Sequence, residues 1–173
     1  MQQSAEERFQ EIYRRHRPAV VAYARRRMAA DGVEDVVAET FLVCWRKLDS
    51  VPKEPLPWLY AAARKTLANQ RRAAARQATR APVDTTTEAA FFEGDLALGA
   101  AFSQLSERDR EVLRLVAWES LSIRETATVL GCSMVSCRVR LHRAKKALAE
   151  RLKTFEPHAG TARPRPDPKG ATR

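Results

Sequence analysis

Apolar residues recur along this chain at the three- and four-residue spacings of helices, and no stretch alternates convincingly at the two-residue period of paired strands. Ser4 and Glu7 form a Ser-x-x-Glu capping box ahead of Phe9, Ile12 and Tyr13, which predicts a first helix. Pro18 should kink or restart it before Val20, Val21 and Tyr23. Asp31, with Glu34 three residues on, is the expected cap of a second helix. Its inward stripe is Val33, Val37, Thr40, Cys44 and Leu48, at spacings of 4, 3, 4 and 4. The loop "DSVPKEPLP" excludes regular helix, and Pro57 opens a third helix that turns Leu59, Ala62, Ala63, Thr66 and Leu67 inward.

Residues 77–87, "QATRAPVDTTT", are polar and turn-prone and read as a flexible linker. A modest helix over roughly 88–104 is expected next, then one capped by Ser106 that carries Val112, Leu113, Leu115 and Val116. Two shorter helices follow, over 122–130 and 134–153. The tail "EPHAGTARPRPDPKGATR" has almost no apolar residue and is expected to be disordered. The fold class is therefore all-α: two small helical domains joined by a flexible linker. The divisions are 1–76, a linker and start of the second unit at 77–104, then 105–153 and the tail 154–173. Each half, at about 70 residues, should be marginally stable alone.

Segment 122–146 has the shape of a helix-turn-helix. Ile123, Ala127 and Leu130 face the core, Gly131 allows a left-handed stop, and Ser133 can cap the next helix. On a helical wheel Cys137, Leu141, Ala144, Leu148 and Leu152 point inward. The opposite face gathers Val135, Ser136, Val139, Arg140, His142, Arg143 and Lys146, with Arg138 and Lys145 on its flank. Exposed valines among cations suit a major groove, where arginine meets guanine or phosphate and valine meets a thymine methyl. A charged surface helix of a bundle is the competing reading.

Charge sharpens this picture. The chain has 31 Lys plus Arg against 21 Asp plus Glu, a net +10, which favours a polyanionic partner. Residues 1–76 carry 15 basic and 9 acidic groups (+6), 77–104 carry 1 and 4 (−3), 105–153 carry 11 and 6 (+5), and the tail 4 and 2 (+2). Two basic blocks flank an acidic middle. The helix after Pro57 turns Arg64, Lys65, Arg71 and Arg72 outward with Ala61 and Ala68 between them, beside Trp58. Trp58 fits both core packing and an unstacked base. On the second helix Leu42 stands outward among Asp35, Glu39 and Arg46, which fits a protein contact or a scattered surface leucine.

Several classes are disfavoured. No apolar run approaches a membrane span, so no membrane insertion is expected, and "MQQSAEERFQ" lacks the core of a signal peptide. Cys44, Cys132 and Cys137 read as small hydrophobes of a reduced cytoplasm, with no metal and no cofactor expected. His16, His142 and His158 are scattered, and no acid cluster or phosphate loop suggests an enzyme or any catalytic residue.

"VEDVVAETFLVCWRKL", "PWLYAAARKTLANQRR" and "LSERDREVLRLVAWESLSIRETATVLGCSMVSCRVRLHRAKKAL", in that order, resemble an extracytoplasmic-function (ECF) sigma factor of bacterial RNA polymerase, of the sigma-70 family. The resemblance covers residues 8–153. It implies sigma region 2 in the first half and region 4, with its helix-turn-helix, in the second. It implies that Asp35, Glu39, Thr40, Phe41 and Leu42 bind the clamp helices of the polymerase β′ subunit, with the β flap as a second polymerase contact. Lys53, Trp58, Arg64, Lys65, Asn69, Arg71 and Arg72 would open the promoter and hold the minus-ten element. Arg124, Ser133, Val135, Ser136, Arg138, Val139, Arg140, His142, Arg143 and Lys146 would meet the minus-thirty-five element. The implied partners are core RNA polymerase, promoter DNA and an anti-sigma factor, in the cytoplasm. Three positions depart from the family pattern: Ala38 where glutamine is common, Lys65 where asparagine is common, and Val139 where a serine is common. The rival reading is a stand-alone helix-turn-helix regulator that binds an operator as a dimer.

Overall fold

The computed structural model describes residues 4–77, 92 and 95–155. Among them are seven α-helices, two 3₁₀ turns and no strand. The helices are α1 Ala5–Arg25, α2 Val33–Arg46, α3 Leu56–Gln77, α4 Leu96–Ser103, α5 Glu107–Ala117, α6 Ile123–Leu130 and α7 Met134–Phe155. The linker expected over 77–87, the start of the helix expected over 88–104 and nearly all of the tail lie outside the described residues.

The capping box at Ser4 forms: its Oγ accepts from Glu7 N at 3.1 Å, and Ser4 N donates to Glu7 Oε2 at 2.9 Å. Two expectations need correction. α1 runs through Pro18 without a break. Ile12 before the proline and Val20, Val21, Tyr23 and Ala24 after it bury in one core, which outweighs one lost backbone bond. Asp31 does not cap α2. It lies in the 3₁₀ turn Ala30–Gly32, and the N-cap position falls on Gly32, which has no side chain to offer. Glu34 instead accepts from Arg17 at 2.7 Å.

The turn between α6 and α7 follows the expected chemistry. Gly131 has φ 65° and ψ 40°, the left-handed region, and Ser133 Oγ accepts from Ser136 N at 3.1 Å. Cys132 and Cys137 flank that cap at the positions of a hydrophobic staple and pack in one core, and burial, foremost, pushes the Cys137 thiol up. A Cβ added at Gly131 would meet no atom within 4 Å, so only backbone strain opposes it. Gly131→Ala should therefore lower the unfolding free energy by about 1 kcal/mol, and Gly131→Asn by less. Urea denaturation of the two variants checks the order.

The α2 stripe Val33, Val37, Thr40, Cys44 and Leu48 is buried throughout, as is the α3 stripe Leu59, Ala62, Ala63, Thr66 and Leu67. Tyr23 of α1 stacks on Tyr60 of α3 with ring centroids 4.8 Å apart. In the second half Phe92, Phe102 and Trp118 form an aromatic triangle with 5.2–5.5 Å between centroids. The halves do not stay apart. Leu115, Leu121 and Val129 belong to the first core, and α6 lies along α3. Helix α6 thus buries a second face, Thr126 and Val129, besides the one with Ala127.

Candidate nucleic-acid and polymerase interfaces

Helix α2 turns Asp35, Ala38, Glu39, Leu42 and Arg46 to solvent. Leu42 is 42 % exposed, large for an apolar side chain with no packing duty. Thr40 and Phe41, of the same expected set, are both buried. Thr40 Oγ1 donates to Val36 O at 2.7 Å, which satisfies it within its own helix. Phe41 meets Phe9 and Tyr13 edge-on, at 6.4 and 4.7 Å between centroids. They support the exposed face from beneath. Trp45, 47 % exposed and edge-on to Phe9 at 5.2 Å, extends that face and was missed. Its position three residues after Leu42 was the available signal.

The residues assigned to the minus-ten element fall into four places. Trp58 and Lys65 share a recess of about 440 Å³ with Arg46, Lys47, Asp49 and Ser50. Lys53 lies elsewhere, in a recess of about 480 Å³ with Arg8, Glu11, Arg15 and His16. Arg8 fixes the proline loop above it, donating to Leu48 O at 3.0 Å and Val51 O at 2.6 Å. Asn69 accepts from Arg72 and lies with Lys65 in a groove beside Leu42. Arg64, Arg71 and Arg72 line a fourth, a cleft that faces the other half of the molecule.

On α7, Val135 and Val139 are 70 % and 46 % exposed. Ser136, Arg138, His142, Arg143 and Lys146 stand in solvent beside them, as does Arg124 on α6. Ser133 is occupied as the cap of α7. Arg140 departs from its neighbours: it is half-buried and lines the cleft with Arg64, Arg71 and Arg72. The structure therefore brings Arg140 of one basic helix together with three arginines of the other, which the sequence had placed on separate modules.

A buried ion network joins the halves. Arg27 Nε donates to Glu111 at 2.9 Å and its Nη1 to Glu119 at 2.9 Å. Arg26 meets Glu119 at 2.6 Å, Tyr23 Oη donates to Glu111 at 3.0 Å, and Arg71 pairs with Glu107 at 3.2 Å. The Arg27 guanidinium also lies 3.5 Å over the Tyr23 ring. Burial, foremost, holds Tyr23 well above the ordinary phenol value, and pushes Tyr60 up to about 12. A raised folded value keeps the phenol neutral in the native state while the unfolded chain ionises near the ordinary value of 10. That contribution is intact below about pH 10 and is lost as pH rises toward 12. Tyr60→Phe should therefore flatten the alkaline decline in unfolding free energy between these pH values, a difference that denaturation at pH 9 and pH 11.5 reads directly.

Among the described residues no group of three or more His, Cys, Asp or Glu side chains could hold a metal, and no helix is long and apolar enough to cross a membrane. Comparison with known proteins gives the arrangement a lineage. The family model for sigma-70 region 2 matches residues 12–77, and that for sigma-70 region 4 matches residues 95–148. The ECF RNA polymerase sigma factor SigF of Caulobacter vibrioides is 36 % identical over 144 residues, 76 % of this chain and 78 % of that protein. The RNA polymerase sigma-H factor of Pseudomonas aeruginosa is 31 % identical over 144 residues, 71 % of this chain and 74 % of that one. CnrH, solved in complex with the cytosolic domain of CnrY, aligns at TM-score 0.63 with 28 % identity, over 84 % of this chain and 88 % of CnrH. The sigma factor RpoE of Bartonella quintana, solved with the anti-sigma factor NepR, shares the fold at TM-score 0.62 and 24 % identity, over 84 % of this chain and 96 % of RpoE. With both sigma-70 regions present in order, and a relative above one-third identity over most of the length, the chain belongs to the ECF sigma factors of the sigma-70 family, the initiation subunits of bacterial RNA polymerase.

Proposed function

We propose that this sigma factor seats on core polymerase through the α2 face around Asp35, Glu39 and Leu42, with a second contact to the β flap from region 4. Seated there, it reads the minus-ten element with α3 and the proline loop, and the minus-thirty-five element with α7. The chain itself makes and breaks no covalent bond; synthesis belongs to the core enzyme. Cations on α3 and α7 neutralise phosphates, which makes affinity fall steeply with salt. A recess such as that of Trp58 and Lys65 can receive an unstacked base, which offsets the few kcal/mol lost in unstacking.

One observation carries the promoter-reading role: Val135 and Val139 stand in solvent among Arg138, His142, Arg143 and Lys146, on a helix whose other face is core. A merely solvated face has no use for two valines there. A stand-alone dimeric regulator, in turn, has no use for an exposed leucine between acids on α2. An anti-sigma partner that covers these faces is expected: the Bartonella RpoE was solved with the anti-sigma factor NepR, and CnrH with the cytosolic domain of CnrY.

The test is capture of core polymerase by the tagged chain, followed by run-off transcription on a genomic promoter pool. Selective binding of duplex sites by the free chain, with no polymerase capture, would overturn the reading. Val139 makes a finer test. Val139→Ser should lose about tenfold preference at a single minus-thirty-five position while overall affinity holds, because an apolar methyl contact is replaced by a hydroxyl. An unchanged base profile across a promoter-mutant series contradicts it.

A further inference from the structure

The cleft between the two halves has more positive charge than the described residues answer. It has a volume of about 420 Å³ and is lined from one side by Arg64, Lys65, Arg71 and Arg72 of α3, and from the other by Arg108 and Arg140. Among the described residues only two carboxylates, Glu107 and Glu111, line it. Both are already engaged: Glu107 with Arg71, Arg110 and Arg114, and Glu111 with Arg27, Tyr23 and Arg114. Arg64, Lys65, Arg108 and Arg140 make no ion pair with a described carboxylate.

A second observation is independent of that surface charge. Arg27 also lines the cleft, its side chain is only 3 % exposed, and its Nη2 has no hydrogen-bond partner among the described residues. A buried guanidinium nitrogen left without an acceptor costs a few kcal/mol and is rare in a packed interior. Burial, followed by the nearby charges of Arg27 and Arg71, pulls Arg114 behind it down to about 9, as expected where cations outnumber their counter-charges.

We propose that this cleft is a binding site for a small polyphosphorylated anion, held by Arg64 and Arg140 from opposite halves, with the buried Arg27 beneath. The volume suits a ligand the size of a tripolyphosphate or a nucleoside polyphosphate and is far too small for a duplex. Because α3 and α7 both contribute, the anion bridges the halves and stabilises their packed arrangement by mass action. The binding claim stands apart from the promoter-reading role, since it is measured without polymerase or promoter.

Sodium tripolyphosphate is the probe, titrated calorimetrically into the full chain at fixed ionic strength. The expected result is one tripolyphosphate per chain and a raised thermal midpoint. Arg64→Ala and Arg140→Ala should each weaken binding several-fold, and the pair by about tenfold or more, as loss of charge-assisted bonds implies. Lys145→Ala, which removes an equal charge from α7 outside the cleft, should leave the affinity within twofold. If Lys145→Ala weakens binding as much as Arg140→Ala, or several anions bind per chain, the attraction is diffuse surface charge and the site does not exist. A parallel titration with a short single-stranded oligonucleotide separates the two sources of phosphate. If the oligonucleotide binds through Arg64 and Arg140 and tripolyphosphate does not, the cleft serves nucleic acid and the proposal is overturned.

Discussion

Arg27→Met should destabilise the protein by about 3 kcal/mol, as breaking a buried ion pair does. The substitution keeps most of the volume and removes the charge. Glu111 and Glu119 then remain in a dry interface with one strong partner fewer each. Glu111 keeps Tyr23 and the longer contact to Arg114 at 3.6 Å, and Glu119 keeps Arg26. These remaining partners place the effect at the lower end of the 3–5 kcal/mol typical of a broken buried pair. Against a total stability of about ten kcal/mol for such a domain, this is a large share. The neighbouring Arg25 is exposed, so Arg25→Met should stay within about 0.5 kcal/mol. Neutralising one acid as well, with Glu111→Gln added to Arg27→Met, should recover part of the loss, since the charges removed then balance while Arg26 keeps Glu119 and Arg114 keeps Glu107. Urea unfolding of the three proteins decides it; a loss under about 1 kcal/mol for Arg27→Met would mean the network contributes little.

That network also marks where sequence reasoning ran out. The inward stripes of α2 and α3 and the Cys137–Leu141–Ala144 stripe of α7 were legible because each follows from local periodicity. So were the caps at Ser4, Ser106 and Ser133 and the stop at Gly131, which depend on residues within one turn. Arg27, by contrast, sits in the run "ARRRMAA" and has the look of a solvated cation, yet its acidic partners lie 84 and 92 residues away. Nothing local distinguishes it from Arg25. Val129 was hidden for a related reason. A helix of eight residues that packs on both sides looks amphipathic to a wheel that assumes one buried face. The two modules inferred from the two charge blocks correspond to the two sigma-70 regions, but the contact between them was not legible. The divided charge is real, but packing α6 on α3 turns parts of both blocks toward one cleft.

The candidate site was legible in kind more than in membership. Residue type and face correctly separated exposed Leu42, Val135 and Val139 from their buried neighbours. The run from Glu39 to Leu42, carried over as a continuous motif, swept in Thr40 and Phe41, because a motif counts positions along the chain and a helix turns 100° at each one. Asp35, Glu39 and Leu42 fall on one side of α2; Thr40 and Phe41 fall on the other.

Leu42→Asp follows from that geometry and should weaken association with core polymerase by about thirtyfold or more, the cost of losing an apolar anchor and burying a new charge in its place. The free chain should be nearly indifferent to the change. Leu42 already meets solvent, so thermal midpoint and helicity should match the parent. This separates it from Thr40→Val, which disturbs a fully buried hydroxyl donating to Val36 O and should alter stability while leaving polymerase affinity per folded molecule unchanged. A leucine exposed elsewhere provides the control for apolar surface as such: Leu96, on α4, is 87 % exposed, and Leu96→Asp should bind polymerase normally. Fluorescence anisotropy of labelled chain titrated with core enzyme gives all three affinities. Parental affinity for Leu42→Asp would remove the α2 face from the polymerase contact, and with it the reason that an apolar side chain stands there between two acids.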